Sequence, residues 1–559
     1  MANANNQSRR SQSEPIVGEA RDMTAVQNPQ VEASTDDEPL KRDLSFWIIM
    51  LALSLAAIIG TLDSAVVATS LPTIVNELDL GANYIWVTNI YFLTSAVFQP
   101  LYGQLSDLWG RRSVFIGTVA IFVLGSGLCG GASNGAMLIA GRGVQGVGSG
   151  GISVMCELII CDLVPLRQRG KYIGMMLGSA TAVSCLGPLI GGALTQAGAW
   201  RWIWYLNIPI GGICIALSIP WLKLSHRKEG NTLERLRRID WLGTALVSAS
   251  TVSILYALAY GGALKSWSDP AIIASLTAGH LGLILLVAWQ AMPQCQYPLI
   301  PLRFFSNRTS ASAFFLTLTN SMLCIWVVFV FPVYFQAVLG ASPQQSGIWL
   351  LPTATMFPVG VGIAGPLMAK LGRCRPIHLI AFGLCVLGCG LCSILDDKSP
   401  KAMWVILQLI LALGLASPIP CLLPAVQVQL DDKDTALSTS TWAFIRRYGT
   451  IWGVSIPGAI FNDRFGQLLN TIEDEGVRTS LANGHAYDQA SSSIVEGLSG
   501  AVRDQVIGAY YLSLRRVWQI GIVFAGASFL AVFLEKELTM REDLKTDFGL
   551  HKEKEKTSV

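Results

Sequence analysis

Apolar runs of about 20 residues, the length that crosses a bilayer as a helix, recur along almost the whole chain. They alternate with short polar segments in which most of the Arg, Lys and Asp residues lie. This pattern predicts an all-α, polytopic membrane protein with fourteen transmembrane helices. The expected spans are residues 46–68, 84–104, 113–131, 137–160, 171–194, 202–222, 240–260, 270–290, 310–334, 345–369, 376–395, 402–428, 437–461 and 514–534.

The polar segments carry most of their basic residues on one side of the membrane. Counted from an N-terminus in the cytosol, seventeen Lys and Arg residues fall in short inner loops and four in short outer loops. Basic residues concentrate in cytoplasmic loops, so both termini are predicted to be cytosolic. Residues 1–43 are polar with almost no aromatic residues, which predicts a disordered tail. The one sizeable outer segment, residues 462–513, is either a cap over the outer mouth or a tolerated insertion.

The composition agrees with a membrane protein and argues against several other functions. Of the 559 residues, 52% are hydrophobic and only 14% are charged, whereas soluble domains carry about 25% charged residues. No nucleophile–base pair or phosphate loop is visible, so we expect neither an enzyme nor a cofactor. The basic residues are distributed over many loops, which argues against nucleic-acid binding. Cys385, Cys389 and Cys392 share a helix face without a His or carboxylate beside them, and we predict buried thiols and no metal site.

A short charged motif occurs once in each half of the chain. Residues 103–114 read GQLSDLWGRRSV, and residues 365–376 read GPLMAKLGRCRP. Each copy has two glycines seven residues apart followed by arginines, but Ala369 stands where the first copy has Asp107. The glycines are expected to allow close packing and a sharp turn. A motif that recurs after the same kind of helix indicates an internally repeated transporter.

Two charged residues stand deep in apolar predicted spans, and in the first span the aspartate is the only charge. Asp63 lies in the first span, within LDSAVVATSLP, and Arg142 lies in the fourth, within GRGVQGVGSGG. A charge in hydrocarbon costs about 2.5–3.5 kcal/mol on insertion scales, so each should face a partner or a cavity. Both are predicted to lie about 7–8 Å below the outer boundary, where they would form an ion pair beside Gln145. The pair is either a switchable proton-coupling site or a purely structural bridge.

The fifth predicted span ends in GPLIGGAL. Pro188 lacks an N–H group and is expected to bend the helix. Gly187 and Gly191, followed by Gly192, provide a small-residue face on which another helix can pack closely. A bent helix with such a face suits the seam between two moving bundles.

Charges of both signs are predicted to meet at the inner end of the first spans. They form either a latch of ion pairs at an inner gate or a solvated loop that only sets the orientation. The members are Asp107, Arg111, Arg112, Glu157, Asp162, Arg167 and Arg169.

A substrate cavity would require polar and aromatic side chains at membrane depth. Arg446 lies about ten residues into the thirteenth span, too deep to reach water easily, so we expect it to face the cavity or a carboxylate that the sequence does not identify. Aromatic residues would suit an apolar ligand, but they are equally typical of the interfacial belt. The cavity candidates are Gln145, Trp326, Tyr334, Trp442 and Arg446.

Six motifs, in this order and spacing, resemble those of the fourteen-helix drug:proton antiporter branch of the major facilitator superfamily, as found in fungi. Besides the four N-terminal segments quoted above, they include DLVPLRQRGKY after span 4 and WRWIWYLNIPIG, which leads into span 6. The resemblance implies two six-helix bundles with two extra central helices, and alternating access driven by a proton gradient. By motif position, Asp63 matches the helix 1 acidic residue, Arg142 the helix 4 arginine, and residues 187–192 the antiporter motif.

With that resemblance the chain divides into five predicted regions. They are a cytosolic tail (1–43), an N-terminal six-helix bundle (44–224), a basic linker with two extra helices (225–290), a C-terminal six-helix bundle that includes the outer segment (291–535), and a second cytosolic tail (536–559).

The resemblance implies a proton-coupled efflux transporter for a hydrophobic or amphipathic small molecule, either a xenobiotic drug or a toxin or other secondary metabolite. The alternatives are a fourteen-helix proton symporter that imports a chelate such as a siderophore, and a non-transporting receptor of the same fold. The motif in span 5 argues against the symporter, and the intact Asp63 and Arg142 argue against the receptor. Expected partners are the substrate, protons and the lipid bilayer, with the protein acting as a monomer in the cell membrane or, alternatively, the vacuolar membrane.

Overall fold

The computed structural model describes residues 43–78, 80, 84–224, 231–261, 265–482, 486, 497–498 and 500–543. The predicted N-terminal tail, apart from its last residue, lies outside the described residues. The N-terminal half, residues 44–224, consists of α1 (Leu44–Glu77), α2 (Tyr84–Trp109), α3 (Arg111–Gly130), α4 (Gly135–Leu163), α5 (Leu166–Ser184), α6 (Gly187–Gln196), α7 (Trp202–Tyr205) and α8 (Asn207–Trp221).

Three helices connect this half to the second. They are the short α9 (Thr232–Arg237) and the long α10 (Trp241–Tyr260) and α11 (Pro270–Ala291). The C-terminal half, residues 291–535, consists of α12 (Arg308–Val333), α13 (Pro343–Trp349), α14 (Leu351–Leu371), α15 (Arg375–Cys392), α16 (Lys401–Ala416), α17 (Ile419–Gln427), α18 (Thr435–Leu468), α19 (Glu475–Leu481) and α20 (Gly500–Val532).

Each of the fourteen predicted spans corresponds to one helix or to two consecutive helices. Ten helical segments of the described chain are long and apolar enough to cross a membrane. The ten do not include α2, α18, α20 or the pair α5 and α6, of which α6 has only 10 residues. The all-α, multi-pass fold is therefore confirmed, and the number fourteen stays a prediction.

Three helices end or begin at positions that differ from the predicted span boundaries. The membrane-compatible part of α1, Leu44–Val67, agrees with the predicted span 46–68, but the helix itself continues nine residues beyond residue 68, to Glu77, and Ile74 still packs into an apolar core. The fifth span is two helices: α5 ends at Ser184, and α6 begins at Gly187 with Pro188 in its first turn, where the missing N–H costs no hydrogen bond. The predicted outer segment 462–513 is partly helical continuation, since α18 reaches residue 468 and α20 begins at residue 500.

The apolar cores of the two halves are continuous at only one end of the described bundle. At the end that carries both copies of the repeated motif, called the basic end below, one core contains buried residues of both halves, such as Phe115 and Met368. At the opposite end each half has its own core, around Trp204 in the N-terminal half and around Trp518 in the C-terminal half. The halves are therefore packed together most extensively at the basic end.

The first glycine of each motif copy lies where the two halves meet. Gly103 of α2 faces Ser440 of α18, and a β-carbon on this glycine would lie 2.2 Å from the serine Oγ. Gly365 of α14 faces Gly170 of α5, and a β-carbon there would lie 2.4 Å from the carbonyl oxygen of Gly170. Real β-carbons do not approach other atoms so closely, so both contacts require glycine. The two copies thus make equivalent close contacts between the halves.

The second glycine of each copy separates two helices. Gly110 lies between α2 and α3 with φ 85°, and Gly372 lies between α14 and α15 with φ 65°. Residues with a side chain adopt such positive φ angles at a cost, whereas glycine does not. The predicted sharp turn is present in both copies.

The chain remains ordered after α20, in a segment that we call the C-terminal strap (residues 535–543). Met540 N donates to Gly372 O (3.0 Å) in the C-terminal half, and Arg167 N in the N-terminal half donates to Arg541 O (3.2 Å). The strap therefore links the two halves across the basic end. Ion pairs accompany these bonds: Arg373 with Glu537, Arg167 with Glu542, and Arg541 with Asp432. Residues 544–559 of the predicted tail lie outside the described residues.

Candidate functional site

Asp63 of α1 and Arg142 of α4 form a buried ion pair. Arg142 Nη1 lies 2.5 Å from Asp63 Oδ2, and neither side chain is more than 1% exposed. The other carboxylate oxygen, Oδ1, accepts hydrogen bonds from Gln145 Nε2 (2.8 Å) and Asn207 Nδ2 (3.1 Å). Every oxygen of the carboxylate has a donor, as a charge removed from water requires.

The arginine is held from several directions. Its Nε donates to Val87 O (2.9 Å), its Nη1 also donates to Gln145 Oε1 (2.6 Å), and its guanidinium lies 4.1 Å from the ring centre of Tyr91. Gln145, predicted to line a cavity, is instead fully buried and bridges the two charges. Asp63 lies fourteen residues before the end of α1, because the helix continues beyond its apolar stretch. The pair thus joins four elements of the N-terminal half.

The glycine-rich motif of α6 contacts α1 just after Asp63. A β-carbon on Gly187 would lie 2.5 Å from the β-carbon of Ala65, so the two helices touch at this point. One turn further along each helix, Ser70 Oγ donates to Gly191 O (3.3 Å). Gly192 makes no comparable contact, since nothing lies within 4 Å of a β-carbon placed on it. The motif therefore positions the segment of α1 that carries the buried carboxylate.

Glu157 of α4 pairs with Arg446 of α18, in the other half. Arg446 Nη1 lies 2.7 Å from Glu157 Oε1, and Arg446 Nη2 donates to Ser153 Oγ (2.8 Å). The guanidinium of Arg446 lies 4.3 Å from the ring centre of Trp442. Glu157 was predicted to belong to the inner charge cluster, but among the described residues its ion pair is with α18 of the other half. It is the acidic partner of Arg446 that the sequence did not identify.

The remaining inner charges divide into two groups. In the first, which lies within the N-terminal half, Arg111 bridges two carboxylates: its Nη1 lies 2.6 Å from Asp107 Oδ1 and its Nε lies 2.9 Å from Asp162 Oδ2. Arg112 belongs to the same half and donates to the carbonyl oxygen of Ile219 (2.5 Å). These contacts hold the loop between α2 and α3 against α4 and α8.

The second group consists of two arginines that reach the C-terminal half. Arg169 Nη1 donates to Gln427 Oε1 (2.6 Å) on α17. Arg167 Nε donates to the carbonyl oxygen of Ala369 (2.8 Å), in the second copy of the repeated motif. The predicted cluster is therefore not a single set of ion pairs: it is a pair network in one half together with hydrogen bonds across the seam.

The aromatic cavity candidates lie in different environments. Trp326 and Tyr334 belong to the packed core of the C-terminal half, where Tyr334 Oη donates to Asp396 O (2.8 Å). Trp442 lies at the seam, with its Nε1 donating to Thr317 Oγ1 (2.9 Å) and its ring against Arg446. Of the three, only Trp442 therefore lies beside charged residues of the seam.

Three polar residues that the sequence analysis did not select have structural roles. Asn207 completes the shell of Asp63, and as a polar residue inside WRWIWYLNIPIG it could have been noticed. Gln427 receives the hydrogen bond of Arg169 across the seam. Asp240 accepts bonds from Trp289, Gln290 and the backbone of residues 243 and 299, and so joins α10 to α11. Burial, with this carboxylate nearby, raises the pKa of the Cys295 thiol to about 11.

Comparison with known proteins identifies relatives along nearly the full length. The family model described as Major Facilitator Superfamily matches residues 53–454. The MFS-type efflux transporter phmH of Phaeosphaeria nodorum is 45% identical over 97% of this chain and 94% of its own. The MFS-type efflux transporter ffsH of Aspergillus flavipes is 44% identical over 95% of this chain and 92% of its own.

A solved structure supports the same fold at low identity. The proton:xylose symporter XylE superimposes with a TM-score of 0.54 at 12% identity, covering 86% of this chain and 95% of its own. Among the described residues, no group of three or more His, Cys, Asp or Glu side chains has the geometry to hold a metal ion.

Proposed function

Because the chain belongs to the major facilitator superfamily, we propose that it is a proton-coupled efflux transporter that exports a hydrophobic or amphipathic small molecule by alternating access. Membership makes it a multi-pass membrane transporter rather than an enzyme. The export direction is proposed from the relatives, which are named efflux transporters and align with nearly the whole chain. We further propose the fourteen-helix drug:proton branch, with both termini in the cytosol of a fungal cell and the cell membrane as its location.

The packing of the two halves supports alternating access. A shared core, two glycine contacts and the Glu157–Arg446 pair join the halves toward the basic end. At the opposite end the halves have separate cores. With the basic end in the cytosol, this arrangement corresponds to a closed inner gate and a cavity that would open outward. Transport then requires these contacts to break while those of the opposite end form.

The Asp63–Arg142 pair is the observation that carries the proposed proton coupling. A charge at membrane depth is costly, so a carboxylate kept there is a candidate for a proton relay. In this proposal a proton from the outside binds Asp63 and ends its ion pair, while Gln145 and Asn207 still offer hydrogen bonds to the neutral carboxyl group. Arg142, whose carboxylate partner is Asp63, would then be left without a counter-charge among the described residues.

The contacts of α1 would transmit this change to the rest of the protein. Ala65 is two residues from Asp63 and touches Gly187 of the glycine-rich motif. When the ion pair to α4 is lost, α1 is less strongly held and can move together with α6. The helix break before Gly187 is a natural place for such a movement, because no continuous helix joins α5 to α6.

Proteoliposomes with an imposed pH gradient test the proposed function. The purified full-length protein would be reconstituted with a trapped pH-sensitive dye and exposed to a panel of lipophilic acids, amides and amines. We expect at least one compound to accumulate against its own gradient while protons move in the opposite direction, and a protonophore to abolish both movements. Accumulation in the same direction as the protons would indicate symport instead, and equilibration unaffected by the protonophore would exclude coupling.

A further inference from the structure

Arg447 of α18 directly follows Arg446, the partner of Glu157, but has no ion-pair partner of its own in the described part of the chain. It lies twelve residues into α18, well inside the helix, and its side chain is half-buried. Among the described residues it takes part in no ion pair, and its buried Nε has no hydrogen-bond acceptor. An arginine at this depth is costly to keep without a counter-charge, which indicates a function.

The charges around the seam do not cancel. Asp63 balances Arg142, and Glu157 balances Arg446. Arg447 is left as a surplus positive charge in the described part of the bundle. A guanidinium cannot lose its proton under physiological conditions. Glu157 is close enough to act on Arg447 electrostatically, but its one carboxylate already pairs with Arg446, so an anion from elsewhere would neutralise the remaining charge.

The surroundings of Arg447 suit a ligand that is both apolar and anionic. The ring centre of Phe92, on α2 of the other half, lies 5.9 Å from Arg447 Cζ. Trp442 packs against the neighbouring Arg446, with its ring centre 4.3 Å from that guanidinium. A guanidinium presents paired N–H donors that match a carboxylate, and aromatic rings pack against apolar or aromatic groups.

We propose that Arg447 binds the acidic group of the transported compound, whose apolar part packs against Phe92, and that the preferred substrates are amphipathic organic acids. This inference rests on the proposed export function and specifies its substrate class. A small inorganic anion is a poorer fit, because it would lose its hydration without bringing apolar surface to the aromatic side chains. A neutral compound would leave the charge of Arg447 unpaired.

The test is equilibrium binding to the purified full-length protein in detergent, without any gradient. The probes are aromatic and alkyl carboxylic acids, each paired with its primary amide, for example 2-naphthoate with 2-naphthamide. We expect the wild-type protein to bind at least one acid more tightly than its amide. Arg447→Gln should lower the affinity for that acid by about tenfold, which is the loss expected for hydrogen bonds to a charged group. The affinity for the amide should stay within about twofold of the wild-type value.

Two further variants separate a binding role from a folding role. Arg447→Lys keeps the charge and should retain most of the affinity for the acid. Arg308→Gln removes the same charge from an exposed position at the start of α12 and should bind both probes as the wild type does. Unchanged amide binding by Arg447→Gln shows that this variant is folded.

Several results would overturn the inference. The first is that no acid of the panel binds better than its amide, and the second is that the preference for the acid persists in Arg447→Gln. The third is that chloride, at the same concentration as the organic acid, competes with it for binding. Because binding is measured without a proton gradient, a failure here is distinct from a failure of proton-coupled export. Gradient-driven export of neutral compounds, unaffected by Arg447→Gln, would leave the proposed function intact and refute only the acid site.

Discussion

Glu157 and Arg446 form an ion pair of 2.7 Å that joins α4 in one half to α18 in the other. Glu157 is only 1% exposed, and its second oxygen, Oε2, has no donor among the described residues. The carboxylate is therefore bound from one side only, in contrast to Asp63, whose oxygens are all satisfied. In the proposed cycle this pair has to break whenever the inner gate opens.

We predict that Glu157→Gln favours opening of the inner gate. The amide keeps the shape of the side chain but loses the ionic part of its bond to Arg446, which is worth about 1.5 kcal/mol or tenfold in the equilibrium. The reporter is a cysteine in place of Ser440, which is buried at the seam against Gly103, in a cysteine-free background. Its rate of alkylation should rise about tenfold.

The matched control for this prediction is Glu234→Gln. It removes the same charge from an exposed position on α9 and should leave the alkylation rate unchanged. An equal rate in wild type and Glu157→Gln would show that the pair does not hold the seam closed.

Gly365→Ala is predicted to disrupt the contact between α14 and α5. The new β-carbon would lie 2.4 Å from the carbonyl oxygen of Gly170, so the two helices would have to separate. Overpacking of this kind costs about 1–3 kcal/mol. We expect faster alkylation of the cysteine at position 440 and a lower melting temperature. Gly362→Ala, on the same helix but with nothing within 4 Å of the new carbon, is the control and should behave as wild type. Equal alkylation rates and melting temperatures in the two variants would exclude a close contact between Gly365 and Gly170.

The C-terminal strap should stabilise the closed inner gate. Truncation after Lys536 removes the bonds to Gly372 and Arg167, and we expect a higher alkylation rate at position 440. Truncation after Asp543 keeps all the described strap contacts and removes only residues 544–559. If the cysteine at position 440 is alkylated at the wild-type rate in both truncated proteins, the strap contacts the inner gate without stabilising its closed state.

Lone charges in apolar spans were the most informative feature of the sequence. Asp63 and Arg142 could be matched because each lies deep in an apolar run and at a similar predicted distance from the outer boundary. The partner of Arg446 could not be found in this way, because the sequence does not specify how the helices of one half align with those of the other. For the same reason Glu157 was assigned to the inner cluster, with which it shares only proximity along the chain.

Aromatic residues were a poor guide to position. Trp326, Tyr334 and Trp442 all lie in apolar helices, yet two belong to a packed core and one lies at the seam. A periodic pattern cannot separate these environments when most faces of a membrane helix are apolar. The C-terminal strap could not be predicted from the sequence either. Its bonds to Gly372 and Arg167 are made largely by backbone atoms, which leave no pattern in the sequence.

The central claim is that Asp63 carries the coupled proton. Asp63→Asn keeps the size of the side chain and its bonds to Gln145 and Asn207 but cannot release a proton. We therefore expect it to bind substrate yet lose accumulation driven by the gradient. Glu157→Gln is the comparison variant, because it removes the buried carboxylate that pairs with an arginine of the other half, and it should still couple substrate to protons.

The most direct measurement follows substrate and internal pH together in proteoliposomes with an imposed pH gradient, for the wild type and both variants. The account predicts opposite movements of substrate and protons in wild type and Glu157→Gln, and neither accumulation nor coupled proton movement in Asp63→Asn. Accumulation with coupled proton movement in Asp63→Asn, together with its loss in Glu157→Gln, would contradict the account and assign the proton to Glu157.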